Sequence, residues 1–214
     1  MKMKSLLAVA GLIAAGTAFA HDNGGDRYER NVLFKFEGGT GVQPFRSQAG
    51  APVLNTVAGV PPGGAPWGLT SFQAIVKNNG EIRARGTGVL LLGADAIGTR
   101  AGPRQVILSL FCRNVTVPPA VSAALILTPF NSEPVDLDED GDFVVRGKLT
   151  DATGATPPLN CGDTVDNRPV LLIRSVTPAN PTTGAPAMPG AWFAAGLLAD
   201  GHRGGHGGPG DDRY

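Results

Sequence analysis

Short apolar stretches alternate with glycine- and proline-rich turns between residues 31 and 198. Segments such as GVPPGGAP (59–66) and TPANPTTGAPAMPG (177–190) break helices, whereas the apolar–polar alternation from Val32 to Glu37 is typical of a strand. About ten strands at this spacing predict an all-β fold, a single antiparallel β-sandwich with a β-barrel as the alternative. Besides two hairpins, the predicted strands are NVLFKFEG, LTSFQAIVK, GVLLL, QVILSLFC, AALILTPF, PVLLIRSV and AWFAAGLL. A helix over 119–128 is the alternative for one of them, but the prolines on both sides favour a strand.

Two segments predict hairpins that share one type of turn. In the first, Val76 faces Ile82, Ala74 faces Ala84, and Asn78-Asn79-Gly80 forms a three-residue loop with glycine in the left-handed position. In the second, Leu137 faces Phe143, Val135 faces Val145, and Glu139-Asp140-Gly141 is the loop. The strands that leave the turns, GEIRARG (80–86) and GDFVVRG (141–147), match position by position, which indicates either a structural repeat or a chance similarity.

The second hairpin is strongly acidic. In the predicted register Asp138 lies opposite Asp142, and like charges across a ladder are destabilising. One interpretation is that calcium bound by Asp136, Asp138, Asp140 and Asp142 relieves the repulsion. An EF-hand is excluded because its twelfth position is Gly147 instead of glutamate. The other interpretation is a solvated acidic turn without a cofactor, which prevents pairing between sheet edges.

The first twenty residues have the pattern of a Sec-type signal peptide. MKMK is basic, SLLAVAGLIAAG is apolar but short for a membrane span, and TAFA offers a cleavage site after Ala20. We therefore expect a secreted or periplasmic protein with no transmembrane segment after cleavage. An uncleaved anchor is the alternative.

The net charge and the two cysteines limit the classes of function and the compartment that the sequence allows. Without Lys2 and Lys4, sixteen basic residues remain against eighteen acidic ones, a net charge of about −2 that gives no indication of nucleic-acid binding. The two cysteines, Cys112 and Cys161, are predicted to form a disulfide, as expected in an oxidising compartment. Free thiols or a metal-binding pair are the alternative.

The two ends of the mature chain lack a core-forming pattern. HDNGGDRYER (21–30) and the Gly/His/Asp-rich segment 200–214 are predicted to be disordered tails around a single domain at 31–199. All three histidines, His21, His202 and His206, lie in these tails. A Ser-His-Asp or Cys-His catalytic group inside the domain is therefore excluded, and the sequence favours a protein that is not an enzyme.

Two chemical alternatives remain. Cleavage would leave His21 with a free α-amine beside its imidazole, and these two nitrogens could chelate copper. This arrangement resembles the copper-dependent polysaccharide monooxygenases, and the resemblance covers one residue and the general architecture. Those enzymes have a second histidine ligand, for which only His202 or His206 could substitute here. The other alternative is a carboxylate-dependent hydrolase, which needs two converging acids. Its candidates by residue type are Glu37, Glu81, Asp95 and Glu133.

The two tryptophans, Trp67 and Trp192, each open a predicted strand. Exposed indole rings could stack on sugars. Because each tryptophan stands at the start of a strand, we expect both rings to pack at the end of the hydrophobic core instead. The sequence therefore predicts an exported, non-enzymatic binding or structural component whose partner is unknown. A polysaccharide or a cell-surface partner is one class compatible with this prediction.

Overall fold

The computed structural model describes residues 31–43, 45–46, 52–53, 55–112, 128–162, 168–184 and 187–199. These residues form strands and loops without any helix, which confirms the all-β prediction. The strands are β1 (Val32–Gly41), β2 (Phe45–Arg46), β3 (Pro52–Val53), β4 (Ser71–Lys77), β5 (Glu81–Thr87), β6 (Gln105–Phe111), β7 (Phe130–Asn131), β8 (Val135–Asp136), β9 (Phe143–Lys148), β10 (Val170–Thr177) and β11 (Met188–Leu198).

Nine strands belong to one antiparallel sheet in the order β7-β6-β10-β11-β1-β4-β5-β9, with β8 also paired to β6. The two ends of this sheet meet. Thr150, just past β9, exchanges two backbone hydrogen bonds with Asn131 of β7, at 2.7 and 3.0 Å. The sheet is therefore nearly closed and barrel-like, so the architecture corresponds to the barrel alternative more closely than to two separate sheets. Strands β2 and β3 form a small sheet of their own.

Alternate residues of β4, β5 and β9 face the interior, whereas consecutive residues of β6 and β10 are buried. Phe72, Ala74 and Val76 of β4 are buried while Ser71 and Gln73 are exposed, as the two-residue period of a strand requires. Small residues make room for the rings. A Cβ added at Gly196 would lie 2.5 Å from a ring carbon of Phe72. The interior is a packed core of aliphatic and aromatic side chains, including Phe36, Ile82, Leu108, Leu110, Phe143, Leu171 and Ile173.

The first predicted hairpin has the expected register. Val76 pairs with Ile82 and Ala74 with Ala84 between β4 and β5. Gly80 has φ +80° and donates its N–H to the carbonyl of Lys77 at 2.9 Å, which closes the turn. The sequence predicted this element correctly because the turn and both strands are contiguous.

The second hairpin is only partly correct. Its turn forms, since Asp138 and Asp142 are hydrogen-bonded through their backbones at 3.1 Å and Gly141 has φ +78°. The predicted pairing of Val135 with Val145 is wrong: Val135 pairs with Val106 of β6, and Val145 pairs with Ala84 of β5. The strands diverge beyond the turn because each has a longer partner available on its other side.

The two similar segments, GEIRARG and GDFVVRG, are neighbours in the sheet. Strands β5 and β9 are antiparallel, and the equivalent residues Ala84 and Val145 face each other, so a local two-fold axis passes between them. The two turn glycines make similar hydrogen bonds, although one of these is offset by one residue from an exact two-fold relation. The carbonyl of Gly80 accepts the N–H of Leu149 just past β9, and that of Gly141 accepts the N–H of Val89 just past β5. The sequence similarity thus marks two paired strands, β5 and β9, that are equivalent about this axis.

One further predicted strand is wrong, and the predicted disulfide is confirmed. GVLLL (88–92) is not a strand, because only Leu91 makes a bridge, to Trp67. The predicted disulfide between Cys112 and Cys161 is confirmed, with a Cα–Cα distance of 4.8 Å. The signal peptide at 1–20, the tails at 21–30 and 200–214, and most of the 119–128 segment lie outside the described residues. In the described part of the chain, no helix has the length and apolarity needed to cross a bilayer.

Candidate functional site

The acidic turn lines an open pocket on the outer surface, with a volume of about 360 Å³. We call it the acidic pocket; its lining residues are Arg85, Asp136, Asp138, Asp142, Phe143 and Val144. Three of the four aspartates predicted to bind calcium therefore share one pocket. The fourth, Asp140, lies exposed at the tip of the turn and is not part of the lining.

Two of these carboxylates hold the backbone of the turn. Oδ1 of Asp138 accepts the N–H groups of Asp140 at 3.1 Å and Asp142 at 2.7 Å. Oδ1 of Asp142 accepts the N–H of Gly88 at 3.0 Å and so ties the turn to the end of β5. Short aspartate side chains commonly stabilise turns in this way. These two carboxylates stabilise the turn by accepting backbone hydrogen bonds through Oδ1. The acidic residues therefore have a structural role that needs no ion.

The remaining acids of the turn have other polar neighbours. Oδ1 of Asp136 accepts a hydrogen bond from the side-chain amide of Gln105 at 3.2 Å, and Glu139 lies 3.9 Å from the guanidinium of Arg100. Among the described residues, no three histidine, cysteine, aspartate or glutamate side chains are grouped so that they could hold a metal ion. Calcium at this turn stays a prediction, as does copper at His21, which lies outside the described residues.

Asp138→Ala is expected to lower the free energy of unfolding by about 1–2 kcal/mol, because it removes the acceptor of two backbone N–H groups. The loss should be equal in EDTA and in millimolar calcium, as measured by thermal or urea unfolding. Asp140→Ala is the matched control, since that side chain makes no comparable hydrogen bond in the described turn, and it should change stability by less than about 0.5 kcal/mol. A melting temperature that rises with calcium in the wild type, and not in Asp138→Ala, would instead support the calcium interpretation.

The four carboxylates proposed for a hydrolase lie on four different segments. Glu37 is on β1, Glu81 begins β5, and Asp95 and Glu133 are exposed in loops. Glu81 accepts hydrogen bonds from Lys77 at 3.0 Å and Arg83 at 3.3 Å. The hydrogen bond from Lys77 lowers the pKa of Glu81 below its usual value. A general acid at neutral pH needs the opposite shift, so Glu81 is poorly suited to that role.

A second surface feature lies beside the acidic pocket. Three adjacent strands, β4, β5 and β9, direct five cationic side chains to the outer side of the sheet, and we call this the basic face. Its residues are Lys77, Arg83, Arg85, Arg146 and Lys148. The sequence indicated each strand, but it did not indicate this face, because the pairing of β5 with β9 joins segments about sixty residues apart. The signal available was the alternation of arginines in EIRARG, which places Arg83 and Arg85 on one side.

Arg174 of β10 is a buried cation that the sequence pattern did not single out. Its guanidinium donates to the carbonyls of Gly190 at 2.9 Å and Pro189 at 3.0 Å, and to Oγ of Ser109 at 3.3 Å. Burial lowers its pKa to about 10, so it remains protonated at neutral pH. The pairing of β10 with β11 is irregular at this point, and Arg174 satisfies carbonyls there. Its role is to hold two strands together.

Both tryptophans are buried, with exposed fractions of 4% for Trp67 and 2% for Trp192. The ring of Trp67 packs on Phe193 with centroids 4.1 Å apart, and the indole N–H of Trp192 donates to the carbonyl of Asn55 at 3.0 Å. Neither ring is available to stack on a sugar. Their predicted place in the core is correct.

Comparison of the chain with models of known families, with curated proteins and with solved structures finds no significant match. The arrangement of the residues themselves must therefore support any functional proposal. That arrangement combines a packed interior with two oppositely charged surface features, the acidic pocket and the basic face.

Proposed function

We propose that the protein is an exported, non-enzymatic β-sheet protein that serves as a binding or structural component of the periplasm or the cell exterior. The observation that carries the proposal is the disulfide between Cys112, at the end of β6, and the buried Cys161. Such bonds persist in oxidising compartments and are rare in the cytosol. The described residues contain no free cysteine.

The distribution of polar groups also supports a binding or structural role. The interior of the barrel-like sheet is filled by apolar side chains, so it offers no cavity lined by reactive groups in the described residues. The carboxylates that could serve hydrolysis are dispersed over separate segments of the surface. Charged side chains instead concentrate in the acidic pocket and the basic face, where a partner could contact them from solvent.

The export prediction is tested by expressing the full chain, with a C-terminal tag, in a bacterial host. We expect the protein in the periplasm or medium, starting at His21 and lacking two hydrogens because of the disulfide. Fractionation, N-terminal sequencing and intact mass before and after reduction measure these properties. A variant that begins at His21, with no leader, is the control and should stay reduced in the cytoplasm. An unprocessed, reduced wild type in the cytoplasm would contradict the proposal.

A further inference from the structure

The basic face is a compact array of positive charge. Arg83 and Arg85 alternate with buried residues on β5, as Arg146 does on β9, so these side chains point outward together. Arg83 lies directly opposite Arg146 in the ladder. In a sheet, neighbouring strands lie about 4.8 Å apart and alternate residues about 7 Å apart. The cationic groups therefore emerge at closely spaced points on the outer surface of the sheet.

The fold neutralises part of this charge, through Glu81 and through the acidic pocket, whose lining includes Arg85. Glu81 is the one acidic residue on the outward side of β4, β5 and β9, and it contacts Lys77 and Arg83. Lys148 faces Glu81 across the ladder, but within the described residues neither it nor Arg146 forms an ion pair. Like charges directly opposite each other destabilise a sheet. Glu81 balances Arg83, whereas Arg146 faces Arg83 without an ion pair of its own in the described residues, and a bound anion would balance its charge.

The composition of the basic face indicates what kind of anion fits. The apolar side chains on the outward side of β4, β5 and β9 are Ile75 and Val144, which is too little for the apolar centre of a stable protein–protein interface. The outward positions of these strands also carry no aromatic ring, whereas proteins that bind single-stranded nucleic acid stack bases on such rings. A linear polymer with regularly spaced acidic groups needs neither feature.

We propose that the basic face binds an anionic polysaccharide through its carboxylate or sulfate groups. The proposal rests on the proposed function, since it places the protein outside the cytoplasm as a binding component. Arginine forms two parallel hydrogen bonds with such oxyanions, and Arg83, Arg85 and Arg146 occupy neighbouring outward positions of β5 and β9. Because the contacts are ionic and exposed, binding weakens as salt screens them.

The test uses the purified, disulfide-bonded full chain and three polymers: heparin, which is sulfated, polygalacturonate, which is carboxylated, and neutral dextran. Titration calorimetry at several salt concentrations measures the dissociation constants. We expect heparin or polygalacturonate to bind and dextran not to bind. The double variant Arg83→Gln, Arg146→Gln should bind about tenfold or more weakly, with a shallower dependence on salt. Arg104→Gln, an exposed arginine outside the basic face, is the matched control and should stay within about twofold of the wild type.

Several outcomes would overturn the inference. One is that neither acidic polymer binds at low salt, and another is that the double variant binds as tightly as the wild type. Tighter binding of a single-stranded oligonucleotide or of anionic vesicles would assign the basic face to a different partner. Salt-sensitive self-association that the double variant abolishes would assign it to a second copy of the chain.

Two further measurements keep the test decisive. Arg85→Gln with Lys148→Gln is a second pair, used if the first variant fails to give a cooperative thermal transition, and it should weaken binding similarly. Reducing ends released from the bound polymer would contradict the non-enzymatic function without contradicting polysaccharide binding. If the protein binds an acidic polymer but fails the export test, polysaccharide binding stands and the proposed export does not.

Discussion

Replacing Cys112 and Cys161 by alanine is expected to lower the free energy of unfolding by about 4 kcal/mol. The disulfide joins positions 49 residues apart, and closing a loop of this length restricts the unfolded chain by that amount on the chain-entropy model. For a domain of this size the melting temperature should fall by roughly 8–16 °C. Thermal and urea unfolding of the purified double variant measure both quantities.

The control for this prediction is reduction of the wild-type protein. A reductant should lower the stability of the wild type towards that of the double variant and should leave the variant unchanged. Cys161 is buried, so any stability that the variant lacks relative to the reduced wild type measures the cost of truncating its side chain. A double variant within about 1 kcal/mol of the wild type would show that the disulfide contributes little to the stability of the fold.

Gly141→Ala is the second large effect, with an expected loss of about 3 kcal/mol or more. Gly141 has φ +78°, and a side chain in the left-handed region costs roughly 1–2 kcal/mol. An added Cβ would also lie 2.6 Å from the nitrogen and 2.7 Å from the oxygen of Val89. These atoms are backbone, so they cannot rotate away. The hydrogen bond from Val89 to the carbonyl of Gly141, now 2.9 Å, would lengthen as well.

Gly154→Ala separates the two contributions. Gly154 has a similar φ of +86°, but a Cβ there would meet no atom within 4 Å. It should therefore lose only the conformational cost, about 1–2 kcal/mol, and unfolding in urea would show the difference. Equal losses for the two variants would mean that the contact with Val89 has no effect, and that the close approach of the turn to the end of β5 is not tight.

The fold was predictable where the determinants are local. The hairpin around Asn78-Asn79-Gly80 has the predicted register because its turn residues and alternation lie within fifteen consecutive positions. The disulfide was also predictable, since two cysteines allow only one intramolecular pairing. At the second turn the sequence correctly placed Gly141, yet it assigned Val135 to the wrong partner. Alternation shows which side of a strand faces the core, but it does not show which strand lies next to it.

The candidate site was less predictable for the same reason. The sequence indicated repulsion between Asp138 and Asp142, whereas the structure directs both carboxylates to backbone N–H groups. Which N–H groups are within reach depends on the turn conformation and, for Asp142, on Gly88 fifty-four positions away. The basic face could not be predicted either, because Arg83 and Arg146 become neighbours only when β5 pairs with β9.

Most of the strand-forming segments, the left-handed glycines of the two turns and the single cysteine pairing follow from the sequence alone, because each depends on neighbouring residues or on a count; GVLLL (88–92) is the exception. The tertiary structure decided the partner of each strand, the near closure of the sheet through Asn131 and Thr150, and the gathering of charge on one outer surface. The backbone hydrogen bonds of an antiparallel ladder are the same whichever two strands form it. The choice among partners is therefore made by how the whole core packs, and the surface chemistry follows from that choice.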